Sequence, residues 1–333
     1  MSLRSHPMHR IIGISSGDPS GIGLEVVLKA IPAVADKARW ILYTDAPAFE
    51  RHHVRFGKDV PYRWISSLEE VRDHSVLHLI DVPGATCPIP WGDVQAAAGE
   101  RAVAYLKAAS DAALRHEISA IVTAPVHKAA VGGSFKGQTD YLADQAGIKR
   151  FAMAFFTPTF KVVLATVHLS LRDALSKLST ALYVDLIRLV SQELSRFGFH
   201  NASIAVAGVN PHAGEEGLFG AEETEVLAPA IAQCAGQGIR VSGPYPADSL
   251  YYRAHSGEFD VVISPYHDQG LAPVKLIAHG HSTNVTLGLP YVRTSPDHGT
   301  ALSIAGKGLA DPEGMISAMR CAVDLCDRAQ LTP

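Results

Sequence analysis

Short uncharged runs rich in Val, Ile and Ala alternate along this chain with longer segments whose apolar residues recur every three to four positions. The first kind predicts strands buried in a largely parallel sheet, and the second predicts the helices that cover it. Residues 11–14, 39–44, 78–82, 118–123, 204–209, 261–263 and 283–287 read as strands, and 151–156 with 161–167 as an apolar hairpin around Thr157-Pro158. Residues 24–30, 94–116, 182–197, 222–235 and 312–328 read as helices. In 94–116, alanines dominate, and Glu100, Lys107 and Arg115 mark the wet side. Strands alternating with helices predict an α/β fold with a doubly wound, mostly parallel sheet. The stretch 132–137, GGSFKG, reads as a flexible connection. It sets the expected division: 1–131 with about 300–333 in one α/β domain, and about 132–299 in the other.

Composition narrows the class. At 333 residues the chain is long enough for two domains. Hydrophobic residues at 47% and charged ones at 19% suit a compact enzyme and exclude wholesale disorder. A net charge of -4 without a Lys/Arg-rich run gives no footing for nucleic acid. No uncharged run is long enough to cross a bilayer and the amino terminus lacks an apolar leader core, so no membrane partner and a cytoplasmic location are expected. Cys87, Cys234, Cys321 and Cys326 form no CxxC pair, which fits reduced thiols. Residues 1–7 are set aside from the fold reading.

Three of the predicted strands end on a histidine. Residues 162–167 run into His168, 204–209 into Asn210-Pro211-His212, and 261–263 into His267 with Asp268 beside it. In open α/β sheets, ligands gather outside the carboxyl ends of strands. One such histidine is ordinarily a hydrogen-bonded structural residue, but three in equivalent positions can converge on one divalent ion. Three imidazoles with positions left open form a catalytic arrangement for zinc and its neighbours. The spacing matches no finger and no H-E-x-x-H helix, so convergence has to come from the fold.

Two glycine-rich stretches carry further chemistry. SSGDPSGIG, at 15–23, lies between a strand and a helix, where glycines permit close approach of a ligand and the helix start favours an anion. It is neither a Walker A loop nor a complete G-x-G-x-x-G. DHGTALSIAGKG, at 297–308, is too glycine-rich for a helix. Lys275, Asn284 and Arg293 follow His267, and a lysine and an arginine near a metal suit a phosphate or a carboxylate.

The motifs GDPSGIG, VTAPVHK, GQTDYLA, ATVHLSL, VNPHAGE, PADSLY, SPYHDQGLAPVK and TSPDHGTALSIAGKG occur in this order. From residue 11 to about 320 the chain thereby resembles the 4-hydroxythreonine-4-phosphate dehydrogenase family, which acts in one route to pyridoxal phosphate. That family is similar to the isocitrate and isopropylmalate dehydrogenase fold. The resemblance implies two α/β domains, an active site in the interdomain cleft, and NAD or NADP bound without a Rossmann fingerprint. Asp18, Gly21 and Gly23 are similar to the dinucleotide loop of those enzymes, and Asp297, His298, Gly299 and Ser303 to their adenosine loop. The resemblance also implies that His168, His212 and His267 hold one divalent metal (zinc, magnesium, cobalt or similar) at a homodimer interface, with ligands from both subunits. Gln138, Thr139, Lys275, Asn284 and Arg293 would bind a small phosphorylated hydroxy acid.

The implied reaction oxidises the secondary hydroxyl of 4-phosphooxy-L-threonine and releases carbon dioxide, giving 3-amino-2-oxopropyl phosphate. A divalent ion would stabilise first the alkoxide and then the enolate. Asp248 and Asp268 are the candidates for orienting the imidazoles or moving the proton, with Lys275 grouped beside them as catalytic. Two positions depart from the family's pattern. Gln138 stands where a histidine is usual; it keeps hydrogen bonding but carries no charge. It admits a relative that oxidises a phosphorylated sugar acid, 4-phospho-threonate or 4-phospho-erythronate, or a cyclic aromatic dihydrodiol. Ser303 stands where an aspartate is common, which removes repulsion toward a 2'-phosphate and keeps NAD and NADP both open. An acyl-phosphate transferase of similar two-domain fold, and a binding protein that has lost its chemistry through Gln138, are the alternatives from other classes.

Overall fold

The computed structural model describes residues 10–84, 88–278 and 280–329. Residues 1–7 and Cys87 lie outside the described residues. The first stretch of chain builds β1 (Ile11–Ser15), α1 (Gly23–Ala30), β2 (Arg39–Thr44), α2 (Ala46–Phe56), β3 (Tyr62–Trp64), β4 (Leu77–Asp81), α3 (Ala96–Leu114), β5 (Ala120–Thr123), α4 (Lys128–Val131) and α5 (Gln138–Gln145). There follow β6 (Ala152–Phe156), β7 (Lys161–Leu164), α6 (Leu171–Lys177), α7 (Thr180–Arg196), β8 (Ile204–Ala207), α8 (Ala228–Ala235), β9 (Val241–Tyr245), α9 (Ala247–His255), β10 (Val261–Ser264), α10 (His267–Ala278) and β11 (Thr283–Leu287). β12 (Val292–Pro296) and α11 (Glu313–Ala329) close the chain. The fold is α/β with mostly parallel strands, as the alternating pattern predicts.

Two compact units divide the chain: residues 1–149 with 289–333, and residues 150–288. The divisions thus lie beyond the 132–137 stretch and before residue 299. α5 stays with the first unit because Thr139, Leu142 and Ala143 are buried there and Arg293 of β12 bonds Thr139.

In the first unit the strand order is β3-β4-β2-β1-β5-β12, with every pairing parallel. α11 shows why its sequence is helical. Asp311 Oδ1 accepts the Glu313 N–H at its start, and Met315, Ile316, Met319, Ala322 and Leu325 recur on its buried face. α2 and β12 arise where the hydrophobic pattern is silent. α2 buries only Ala48, Phe49 and His52, and is started by Asp45, whose Oδ1 accepts from Ala48 N at 2.7 Å. β12 is buried at all five positions, yet Arg293, Thr294 and Ser295 interrupt any apolar run.

In the second unit the order is β11-β6-β7-β10-β8-β9. The expected hairpin is present, since β6 pairs antiparallel with both β7 and β11. β7, β10, β8 and β9 are parallel. The three strands that lead to histidines are therefore immediate neighbours, with β10 in the middle. Their shared core contains Phe155, Phe160, Val162, Leu164, Val262 and Leu271. Among the described residues no helix is long and apolar enough to cross a membrane.

Candidate functional site

Neighbouring parallel strands lie about 4.8 Å apart, so side chains just beyond their ends come within reach of each other. β10 ends at Ser264, and only Pro265 and Tyr266 separate it from α10, so His267 opens a helix rather than a loop. The His168 and His267 rings approach to 5.8 Å between centroids. Both line a pocket of about 220 Å³ together with Leu169, Leu171, Tyr266 and Asp268. Thr166 Oγ1 donates to Pro265 O at 2.8 Å and ties the two histidine-bearing segments together. His168 has φ of 44°, in the left-handed region that non-glycine residues seldom occupy. His267 Nδ1 lies 2.7 Å from Asp268 Oδ1. A carboxylate only accepts, so Nδ1 carries the proton and Nε2 of the neutral ring keeps its lone pair.

His212 is presented differently. Beyond β8 the chain enters a left-handed turn in which His212, Ala213, Gly214, Glu215 and Glu216 all have φ between 43 and 84°. The His212 ring meets Phe219 edge-on at 6.1 Å, and Nδ1 lies 2.5 Å from Glu215 Oε1. Glu215 thus does for His212 what Asp268 does for His267. The single chain brings two of the three histidines together: among the described residues no group of three His, Cys, Asp or Glu is placed to hold a metal ion. Leu169, Leu171, Leu218 and Phe219, which flank His168 and His212 in sequence, are between 47% and 71% exposed.

The remaining candidates of the second unit are spread over three elements. Asp248 lies in the first turn of α9, exposed, and does not line the His168 pocket. Lys275 is exposed on α10. Asn284 is on β11, where its buried Oδ1 has no partner within the chain.

In the first unit, Arg293 is 2% exposed at the second position of β12. Its Nη2 donates to Thr123 Oγ1 at 2.7 Å and its Nη1 to Thr139 Oγ1 at 3.3 Å. Burial pushes the guanidinium pKa down to about 10, which still leaves it charged at neutral pH. Gln138 opens α5 and donates its Nε2–H to Ala124 O at 3.2 Å, leaving Oε1 buried without a partner. The two glycine-rich stretches meet: Ile22 N donates to Thr300 O at 3.0 Å, and a Cβ on Gly21 would lie 2.9 Å from that oxygen. A Cβ on Gly23 would lie 2.5 Å from Ser16 O. Asp18 is buried, its Oδ1 accepting from Ser20 N and Oγ, while Oδ2 and Ser16 Oγ have no partner within the chain. His298 donates from Nδ1 to Gly299 O, leaving Nε2 buried in the same condition. Lys307 Nζ donates to the carbonyl of Ser303, whose side chain is exposed. Asp297 and Gly299 lie on the same segment just past β12.

Sequence reasoning missed Trp91 and His52. A Cβ on Gly306, at φ 74°, would lie 2.5 Å from the Trp91 ring, so the indole packs against the second glycine-rich stretch. Trp91 Nε1 donates to His52 Nε2 at 2.7 Å, and His52 Nδ1 donates to Ala48 O at 2.7 Å.

Residues 36–322 match the family model described as pyridoxal phosphate biosynthetic protein PdxA. A curated relative, 4-hydroxythreonine-4-phosphate dehydrogenase of Beijerinckia indica subsp. indica, is 41% identical over 329 residues, covering 98% of this chain and 96% of the relative. D-threonate 4-phosphate dehydrogenase of Cupriavidus necator is 39% identical over 325 residues, covering 96% of this chain and 98% of the relative. The solved 4-hydroxythreonine-4-phosphate dehydrogenase from Klebsiella pneumoniae superposes with a TM-score of 0.89 at 36% identity, covering 98% of this chain and all of that one. A β-decarboxylating dehydrogenase from Thermococcus kodakarensis shares the fold alone, with a TM-score of 0.50 at 14% identity and coverage of 97% and 84%.

Proposed function

The chain belongs to the pyridoxal phosphate biosynthetic protein PdxA family, and we propose that it is a metal-dependent NAD(P) dehydrogenase of a phosphorylated hydroxy acid. The observation that carries this reading is the pair His168 and His267 in one pocket, with His267 Nδ1 given to Asp268. Imidazole nitrogens suit zinc, cobalt and their neighbours, and this donor set fits such an ion once a third imidazole joins it. His212 of a second copy is that third ligand. The exposed Leu169, Leu171, Leu218 and Phe219 supply the apolar surface that such a homodimer would bury. When bound, the ion supplies Lewis-acid polarisation of the substrate's secondary hydroxyl.

The protein's own residues do the rest. The Arg293 fork, set by Thr123 and Thr139, grips an anionic group of the substrate, and Lys275 adds a point charge. Asn284 Oδ1 accepts a hydrogen bond. Asp18, Gly21, Gly23 and the 297–303 segment would hold NAD or NADP, which when bound would supply the hydride acceptor. The hydroxyl proton leaves through Asp268 or Asp248. With 4-phosphooxy-L-threonine as substrate, the resulting β-keto acid loses carbon dioxide to give 3-amino-2-oxopropyl phosphate.

A second substrate has specific support. Gln138 spends its amide N–H on Ala124 O, so its buried Oε1 only accepts, and it accepts from a hydroxyl as readily as from an ammonium. D-threonate 4-phosphate, named for the Cupriavidus relative, offers such a hydroxyl. An acyl-phosphate transferase, by contrast, has only likeness of fold behind it. Incubation of metal-loaded protein with each substrate and each nucleotide tests the reading. Reduced nicotinamide should form with one of the two acids and cease on chelation; no reduction of either nucleotide with either acid would contradict it.

A further inference from the structure

We infer that Glu223, a buried carboxylate that no step above uses, is the positioning residue that fixes the loop presenting His212. The inference rests on the reading of His212 as a ligand. Glu223 is 3% exposed. Its Oε1 accepts the backbone N–H groups of Val209 and Asn210, both at 2.7 Å, and its Oε2 accepts from Asn210 Nδ2 at 2.9 Å. The same Asn210 amide also donates to Glu222 Oε2 at 2.7 Å. Both oxygens of one side chain are thus committed to the two residues that immediately precede Pro211-His212.

The loop needs such an anchor. Its five left-handed residues include four that are not glycine, and backbone of that kind persists only where its surroundings over-determine it. It also folds tightly around the carboxylate: a Cβ on Gly214 would lie 2.8 Å from Glu223 Oε2, and one on Gly208 would lie 2.9 Å from Ala213 Cα. On its other side, Gly208 O accepts from Gln269 Nε2 at 2.9 Å. Gln269 is two residues past His267 on α10. Hydrogen bonds on both sides of the 208–210 backbone therefore link Glu223 to the first turn of α10, which carries His267. Displacing the carboxylate moves His212 without touching its ring.

The test uses the intact protein as wild type, Glu223→Gln, Glu225→Gln and His212→Ala. Zn²⁺ affinity is read by chelator competition, and the ligand field by visible absorption of the Co²⁺ form. Glu223→Gln keeps the shape but turns one acceptor into a donor that faces donors. It is expected to weaken Zn²⁺ binding about ten- to hundredfold and to alter the Co²⁺ spectrum. Glu225→Gln, exposed one turn segment away, is expected to leave both unchanged. Wild-type affinity in Glu223→Gln, with metal lost from His212→Ala, overturns the inference. Wild-type affinity in His212→Ala overturns instead the reading of His212 as a ligand. If Glu223→Gln does not fold, Asn210→Ala takes its place, since it removes one donor and leaves the two backbone bonds; partial weakening supports the inference and wild-type affinity overturns it.

Discussion

Arg293 is the residue whose environment says most about chemistry, because a guanidinium buried within a strand is costly unless its geometry is used. Replacing it with lysine keeps the charge and discards the fork. Arg293→Lys is expected to raise KM for the phosphorylated substrate roughly tenfold or more while kcat changes less, as steady-state kinetics would show. His52 makes a stability prediction. Burial pushes its pKa down to about 4 from 6.5. The unfolded chain takes up a proton near pH 6.5 whereas the folded one does not until near pH 4, so the contribution is complete above pH 6.5 and is lost as pH falls through that window. The loss amounts to about 3 kcal/mol. Urea unfolding at a series of pH values should show it, and His52→Gln should flatten the slope between pH 6.5 and 4. The residues legible in the sequence were those with rare chemistry at a strand end: His168, His212 and His267. Glu215, Glu223 and Gln269 were not, since in sequence they look like ordinary solvated side chains and only hydrogen bonds made by the fold set them apart.

Elements were legible where one face is apolar and the run is uninterrupted, as in β7, β8, β10 and α11. β12 escaped because an arginine and two hydroxyl residues occupy buried positions, and α2 because its start depends on a cap rather than on periodicity. The left-handed turn after β8 has no local sequence signal beyond Gly214. Gly99 decides between two effects on α3. Alanine would favour the helix by about 1 kcal/mol, but its Cβ would lie 2.3 Å from the backbone carbonyl of Ala130 in α4. Backbone cannot yield as a side-chain tip does, so the clash wins. Gly99→Ala is expected to destabilise by about 2 kcal/mol, read as a lower urea midpoint with an unchanged slope. A gain in stability would mean that α4 moves aside freely.

The whole molecule follows from the same local facts. Three adjacent parallel strands deliver three histidines, yet one chain brings only His168 and His267 into a common pocket. The proposed homodimer would supply the missing ring and cover the leucines and phenylalanine beside it, and would make activity a property of the pair. Mixing two inactive variants, His212→Ala and His267→Ala, under conditions that exchange subunits is the most direct measurement. In a mixed dimer one site carries both substitutions and the other carries neither. A shared metal site therefore predicts that nicotinamide reduction returns to roughly a quarter of wild type at equal mixing. No recovery in a mixture shown to contain mixed dimers would contradict it, because each chain would then hold its histidines alone.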